Sequence, residues 1–123
     1  VKAEEPLPET PPTRLLEKLR AGDFVRTVEL DIPRGLVLDG FLRAAESLKL
    51  AGADVINVSD GARARLRMNP SAVAHLVQRE VGVEATMHFA CRDRNLLAIQ
   101  ADLLAVHALG VRNVLAVTGD PAN

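Results

Sequence analysis

The sequence predicts an α/β fold, a parallel sheet assembled from consecutive strand–helix units. Three observations predict it. Short apolar runs alternate with longer segments whose apolar residues recur at helical spacing. Two stretches, "LAGADVINVSDG" and "ALGVRNVLAVTGD", share one plan: a helix-ending Gly, an apolar strand, then Ser or Thr beside Gly and Asp. Finally, each strand candidate ends in polar residues: Glu29 and Asp31, Ser59 and Asp60, His88 and Arg92, Thr118 and Asp120. In parallel sheets, ligands sit over that edge.

Residues 1–13, "VKAEEPLPETPPT", are rich in Pro and acid and poor in apolar side chains. Such a segment buries too little surface to offset its ordering entropy, so it reads as an acidic, Pro-rich linker. "RLLEKLRAGD" then predicts a short amphipathic helix carrying Leu15, Leu16 and Leu19, stopped by Gly22. "FVRTVELDIP" favours a strand and ends at Pro33, which cannot donate to a ladder.

Leu38, Phe41, Leu42, Ala45 and Leu48 recur at helical spacing, with Gly52 as terminator. "ADVINVSDG" is the second strand and breaks at Asp60-Gly61. The next helix opens at Asn69-Pro70, a side chain that caps free amides followed by a residue suited to the first turn. "VEATMHFACRD" is the third strand. "NLLAIQADLLAVHALG" is a helix with Leu97, Gln100, Ala101, Leu104 and Ala108 along one face and Gly110 at its end. "VRNVLAV" is the fourth strand.

A leading helix followed by four strands and three intervening helices fits either half of an eight-fold barrel or most of a small, open doubly wound sheet. "DIPRGL" is not the Gly-rich turn of a dinucleotide-binding first strand, and no phosphate-loop lysine motif occurs. The open nucleotide-binding reading therefore loses ground.

Composition excludes several functions. The net charge of −1 gives no attraction to nucleic acid or a membrane surface. Three Phe, with no Tyr or Trp, argue against base-stacking platforms. No run approaches the roughly 18 apolar residues of a membrane helix. The first dozen residues do not read as a signal peptide, and the single cysteine favours a cytoplasmic home. Cys91 reads as a small buried hydrophobe. No zinc-ligand spacing is present, so no metal site is expected.

Three side chains stand out before any family is considered. Glu29 lies between Val28 and Leu30, so its carboxyl is expected to be partly desolvated, which favours the protonated form and suits general-acid work. The bland alternative is a strand-end carboxylate facing solvent or pairing with an arginine. Asp120, between Gly119 and Pro121, is either an ordinary turn residue or a ligand-facing carboxylate. Alternation puts Thr86, His88 and Ala90 on one face, and a lone His is commonly a hydrogen-bonded core residue. The arginines from Arg63 to Arg67 read first as a solvated loop, with anion binding as a second reading.

At the strand ends the chain resembles the methylenetetrahydrofolate reductase family. The matching pieces are "VELDIP", "INVSDGA", "HFACRDRN" and "RNVLAVTGDPA", in the family's order and at comparable spacing. The third and fourth units look most like bacterial bifunctional proteins that join a homocysteine methyltransferase to this reductase. The resemblance spans residues 14–123 and implies the N-terminal half of an eight-stranded TIM-type barrel. It implies FAD as cofactor, NAD(P)H as co-substrate and a folate substrate, with 5,10-methylenetetrahydrofolate reduced to 5-methyltetrahydrofolate.

The resemblance also implies roles for particular residues. Glu29 matches the family's proton donor, which helps open the substrate's five-membered ring. Asp120 matches a carboxylate lying between flavin and folate, tuning the one and helping to keep the acid protonated. Ser59, Asp60, Ala62, His88, Thr118 and Gly119 fall at cofactor-binding positions. Two departures stand out: Asp60 replaces a frequent Tyr, and Thr118 replaces a frequent Arg. The chain reads as a barrel cut at its midpoint, with the rest of the barrel, and a homocysteine methyltransferase domain, as expected partners. The rival expectation is an inactive half-barrel that self-associates through its open sheet edges, a homo-oligomer.

Overall fold

The computed structural model describes residues 10–121. Most of the expected linker, residues 1–9, lies outside the described residues. Eight elements follow in order: α1 (Arg14–Ala21), β1 (Thr27–Leu30), α2 (Asp39–Leu50), β2 (Val55–Val58), α3 (Pro70–Leu76), β3 (Glu84–Ala90), α4 (Leu96–Ala108) and β4 (Asn113–Val117). A π-helical turn, Val77–Val81, extends α3.

The sheet runs β1-β2-β3-β4, every neighbouring pair parallel. Thr27 pairs with Val55, Val55 with Glu84, and Thr86 with Asn113. Strands in sequence order with helices between them are the architecture of half a (β/α) barrel. The open doubly wound alternative is set aside, because its first strand lies inside the sheet, whereas β1 is an edge here.

Local chemistry accounts for the element ends. Thr13 accepts from the amide of Leu16 at the start of α1, and Gly22, at φ +74°, closes that helix in the left-handed region. Asn69 caps α3 with Pro70 in its first turn, as the sequence predicts. Asn95 caps α4 through the amide of Ala98.

The core lies between the sheet and its helices. Val28, Leu30 and Ile32 from the first unit, Ile56 and Val58 from the second, and Ala85, Met87 and Phe89 from β3 meet Phe41 and Ala45 of α2 and Val73 and Val77 beyond. The predicted stripe of α2 is therefore the observed one. Two other helical expectations need correction. On α4, Leu97 and Leu104 are 76% and 74% exposed, while Ile99 and Val106 pack inward. That helix is apolar on almost every side, so periodicity selects no single face. On α1, Leu19 is exposed and Leu15 is half-buried.

Polar contacts, more than apolar ones, tie α1 to the N-terminal end of the sheet. Glu84 accepts from the amides of Arg14 at 2.8 Å and Leu15 at 3.1 Å, the free donors of the helix start. Asp54 accepts from Lys18 Nζ at 2.8 Å and from the amide of Arg26 at 3.0 Å. Those bonds, the Arg26 amide first and Lys18 second, hold the Asp54 carboxyl below the usual carboxylate range against its own desolvation.

Candidate functional site

Because all four strands run the same way, their C-terminal ends share one edge of the sheet. Val28, Leu30, Ile56, Val58, Ala85, Met87 and Phe89 face the helices. Alternation therefore turns Glu29, Asn57, Ser59, Thr86, His88 and Asn113 to the opposite face. Register aligns Glu29, Asn57, Thr86 and Asn113 in one row across the sheet, with Ser59 and His88 one step nearer the C-terminal edge.

That face is polar where the helix face is not. Ser59, Thr86 and His88 are only 3%, 8% and 9% exposed. Ser59 Oγ, Thr86 Oγ1, His88 Nε2 and Asn57 Oδ1 are all buried without a hydrogen-bond partner. Leaving such a group unpaired costs about 1–3 kcal/mol, so four together are unusual for a purely structural surface. They form a polar patch on the face of the sheet opposite the helices.

The loops above the edge bring further predicted residues together. After β2, a tight turn, Ala62–Ala64, is entered through Gly61 with Arg63 and Ala64 at φ +58° and +52°. The amide of Arg63 donates to Asp120 Oδ2 at 2.5 Å, joining the loops after β2 and β4. Ala62 and Asp120 thus belong to one assembly. Gly119, at φ +85°, lies against Ala90, and a Cβ there would stand 3.3 Å from the Ala90 Cβ and from Arg92 Nη1. Thr118 beside it is exposed.

Asp60 is placed differently. Its carboxylate accepts from Arg94 Nη1 at 2.7 Å and from the amide of Ala90 at 2.8 Å. Arg94 is fixed further by Asp102 at 3.1 Å, by the Ala90 carbonyl and by the Phe89 ring 4.6 Å below its guanidinium. Asp60 first, then Asp102, raise the Arg94 pKa against its desolvation. This ion pair joins the ends of β2 and β3 and occupies the Asp60 side chain.

Glu29 is exposed, so the expected partial desolvation is not met. The reason lies in the sheet order: among the described residues, β1 is an edge strand with a neighbour on one side. Glu29 and Asp120 are not brought together either. They belong to opposite edges, three strand spacings or about 14 Å apart along the sheet. Cys91 is exposed rather than buried, because it lies just beyond the last residue of β3.

Sequence reasoning missed Asn57 and the Asp60–Arg94 pair. The period of two through Val55, Asn57 and Ser59 could have found the first. Nothing local predicts the second, whose partners are 34 residues apart. Among the described residues, no group of three or more His, Cys, Asp or Glu is placed to hold a metal ion, and no helix is long and apolar enough to cross a membrane.

The family model described as methylenetetrahydrofolate reductase matches residues 14–123. No curated protein matches the chain.

Proposed function

Since the chain belongs to the methylenetetrahydrofolate reductase family, we propose that its polar sheet face forms part of a flavin site for reducing 5,10-methylenetetrahydrofolate to 5-methyltetrahydrofolate. The observation that carries this reading is the set of four buried, unpartnered polar atoms on Asn57, Ser59, Thr86 and His88. The donor and acceptor mixture suits the polar edge of an isoalloxazine ring or its ribityl hydroxyls. FAD, when bound, would accept hydride from NAD(P)H and supply it to the folate.

The chain's own residues orient and exclude. Ser59, Thr86 and His88 would hold the cofactor's polar groups while the apolar strands behind them keep water from that side. Gly119 lets the β4 end pack closely on Ala90 and Arg92, which holds the rim of the cleft in place. Asp120, already steadied by the Arg63 amide, would present its other carboxylate oxygen to the cleft. Ala62 would supply backbone at the same rim, and Thr118 a hydroxyl.

Glu29 would give a proton to a substrate nitrogen. Its exposure leaves the carboxyl open to a ligand laid over β1. Residues 1–13 would link the reductase to a homocysteine methyltransferase domain, with methionine as the eventual product, in the cytoplasm.

A second reading rests on a different observation. Among the described residues both β1 and β4 are edges of the sheet, and Leu96, Leu97 and Leu104 on α4 and Val114 and Leu115 on β4 are exposed. Parallel sheets are normally covered on both sides, so a second copy could pair there without any catalysis.

One experiment decides between them: the purified chain is mixed with FAD, then examined by visible absorbance, dye reduction with NAD(P)H, and sedimentation. A yellow protein that reduces dye supports the flavin reading. Colourless dimers overturn it for this chain. In a protein that turns over, Glu29→Gln should leave flavin reduction intact and lower folate reduction by about 10²–10⁴-fold. Equal loss of both half-reactions would remove Glu29 from the acid role.

A further inference from the structure

At the N-terminal end of the sheet, α1 is attached differently from α2, α3 and α4. Those three each bury at least one residue, whereas α1 buries none and sends no side chain into the apolar core. Open space flanks its attachment. A cleft of about 400 Å³ lies beside Pro11, Pro12 and Thr13, and one of about 430 Å³ beside Arg14, with Glu84 bordering both.

Two carboxylates at the starts of two strands hold the helix instead. Glu84, the first residue of β3, accepts the amides of Arg14 at 2.8 Å and Leu15 at 3.1 Å. These are two of the donors that a helix start leaves free, and Thr13 Oγ1 takes a third from Leu16. Asp54, just ahead of β2, accepts Lys18 Nζ at 2.8 Å and has Arg14 Nη2 3.8 Å away.

A helix of eight residues is too short to persist in water alone, because nucleation is costly and its few bonds offset little of that cost. Docking therefore keeps α1 helical, and undocking lets it unwind. Its departure strands neither carboxylate. Glu84 keeps Asn113 Nδ2 at 2.6 Å, and Asp54 keeps the Arg26 amide at 3.0 Å. A flexible point and a fixed point follow the helix. Gly22, at φ +74°, has no atom within 4 Å of where a Cβ would stand, and Asp23 and Phe24 are exposed. Arg26 is fastened both ways to Asp54, donating its amide to the carboxylate and accepting the Asp54 amide at 2.8 Å.

We propose that α1 is a strap that opens as one unit from the N-terminal end of the sheet while β1–β4 remain folded. Glu84 and Asp54 are its latch, residues 22–24 are its hinge, and Arg26 is the point where the motion ends. Few apolar contacts and an attachment through polar bonds are the physical marks of a segment that opens below the cost of global unfolding. Opening is an order–disorder step that bares the Glu84 and Asp54 carboxylates together. The strap is independent of the flavin reading, since it lies at the end of the strands opposite Ser59, His88 and Asp120.

Native-state hydrogen exchange of the whole chain, read by NMR in low urea, tests the strap. The amides of residues 18–21 should be protected relative to a free peptide, yet at least tenfold less than those of Val58 and Met87. They should also share one shallow dependence on urea, as a small opening requires. Protection equal to that of Val58 and Met87 overturns the strap, because α1 then opens only with the whole fold. Complete absence of protection overturns the docking.

Two variants separate latch from core. Ile32→Val trims the core at the far end of the first strand unit and should speed exchange at Val58 and Met87 by about threefold or more. Residues 18–21 should not change, and their acceleration by the same factor overturns independent opening. Glu84→Gln removes one latch oxygen and should speed exchange of residues 18–21 at least fivefold; no acceleration overturns the latch. If that variant does not fold, Lys18→Met releases the other attachment, with the same expected and overturning results.

Discussion

The backbone amide of Arg63 donates to the carboxylate of Asp120 at 2.5 Å across 57 residues of chain. This single bond spans from the loop after β2 to the loop after β4, bypassing β3. It holds a turn whose Arg63 and Ala64 both occupy the left-handed region, where residues with a Cβ are uncommon.

Removing that acceptor should loosen the turn more than the fold. In Asp120→Ala the Arg63 amide should lose protection in hydrogen-exchange mass spectrometry. Global stability should change by about 1 kcal/mol or less, since the bond is exposed to solvent. Unchanged exchange at Arg63 would mean that the turn holds itself.

Thr86 offers a trade between stability and binding. Its hydroxyl is buried without a partner on the polar face. Thr86→Val removes that unpaired group and should stabilise the ligand-free chain by about 1 kcal/mol in urea unfolding. The same change should weaken FAD binding. A variant that is destabilised, with flavin binding intact, would show the hydroxyl to be structural.

Acid should unfasten the base of the sheet through Asp54. Its folded pKa lies below the unfolded value of about 3.9, because the Arg26 amide and Lys18 favour the carboxylate. The folded state therefore releases this proton more readily than the unfolded chain. The stabilisation is complete above the unfolded value and is lost as pH falls through the folded one. Asp54→Asn should lower the urea midpoint at pH 7, with the gap to wild type closing below about pH 4. A gap that stays constant down to pH 2 would exclude this linkage.

Particular elements explain how much could be read without the structure. The stripe through Phe41 and Ala45 of α2 is legible because the remaining faces of that helix are polar. The α4 face is not, because Leu97 and Leu104 are as apolar as Ile99 and Val106. His88 and Thr86 share a face as period-two alternation requires, whereas the exposure of Glu29 depends on which strand stands at the sheet edge.

By itself the sequence determined the order of strands and helices, the caps at Asn69 and Gly22, the polar ends of every strand and the family. The elements, caps and polar strand ends follow from residue periodicity and turn chemistry, which act over a few residues, and the family from four motifs in order. Tertiary structure alone decided that Asp60 belongs to Arg94, that Asp120 belongs to the Arg63 amide, and that Ser59, Thr86 and His88 are buried on one face with the Asn57 Oδ1. Those pairings depend on register and loop closure between distant segments. A one-residue slip would turn each strand's polar set toward the helices, and no local propensity encodes which carboxylate a far arginine reaches.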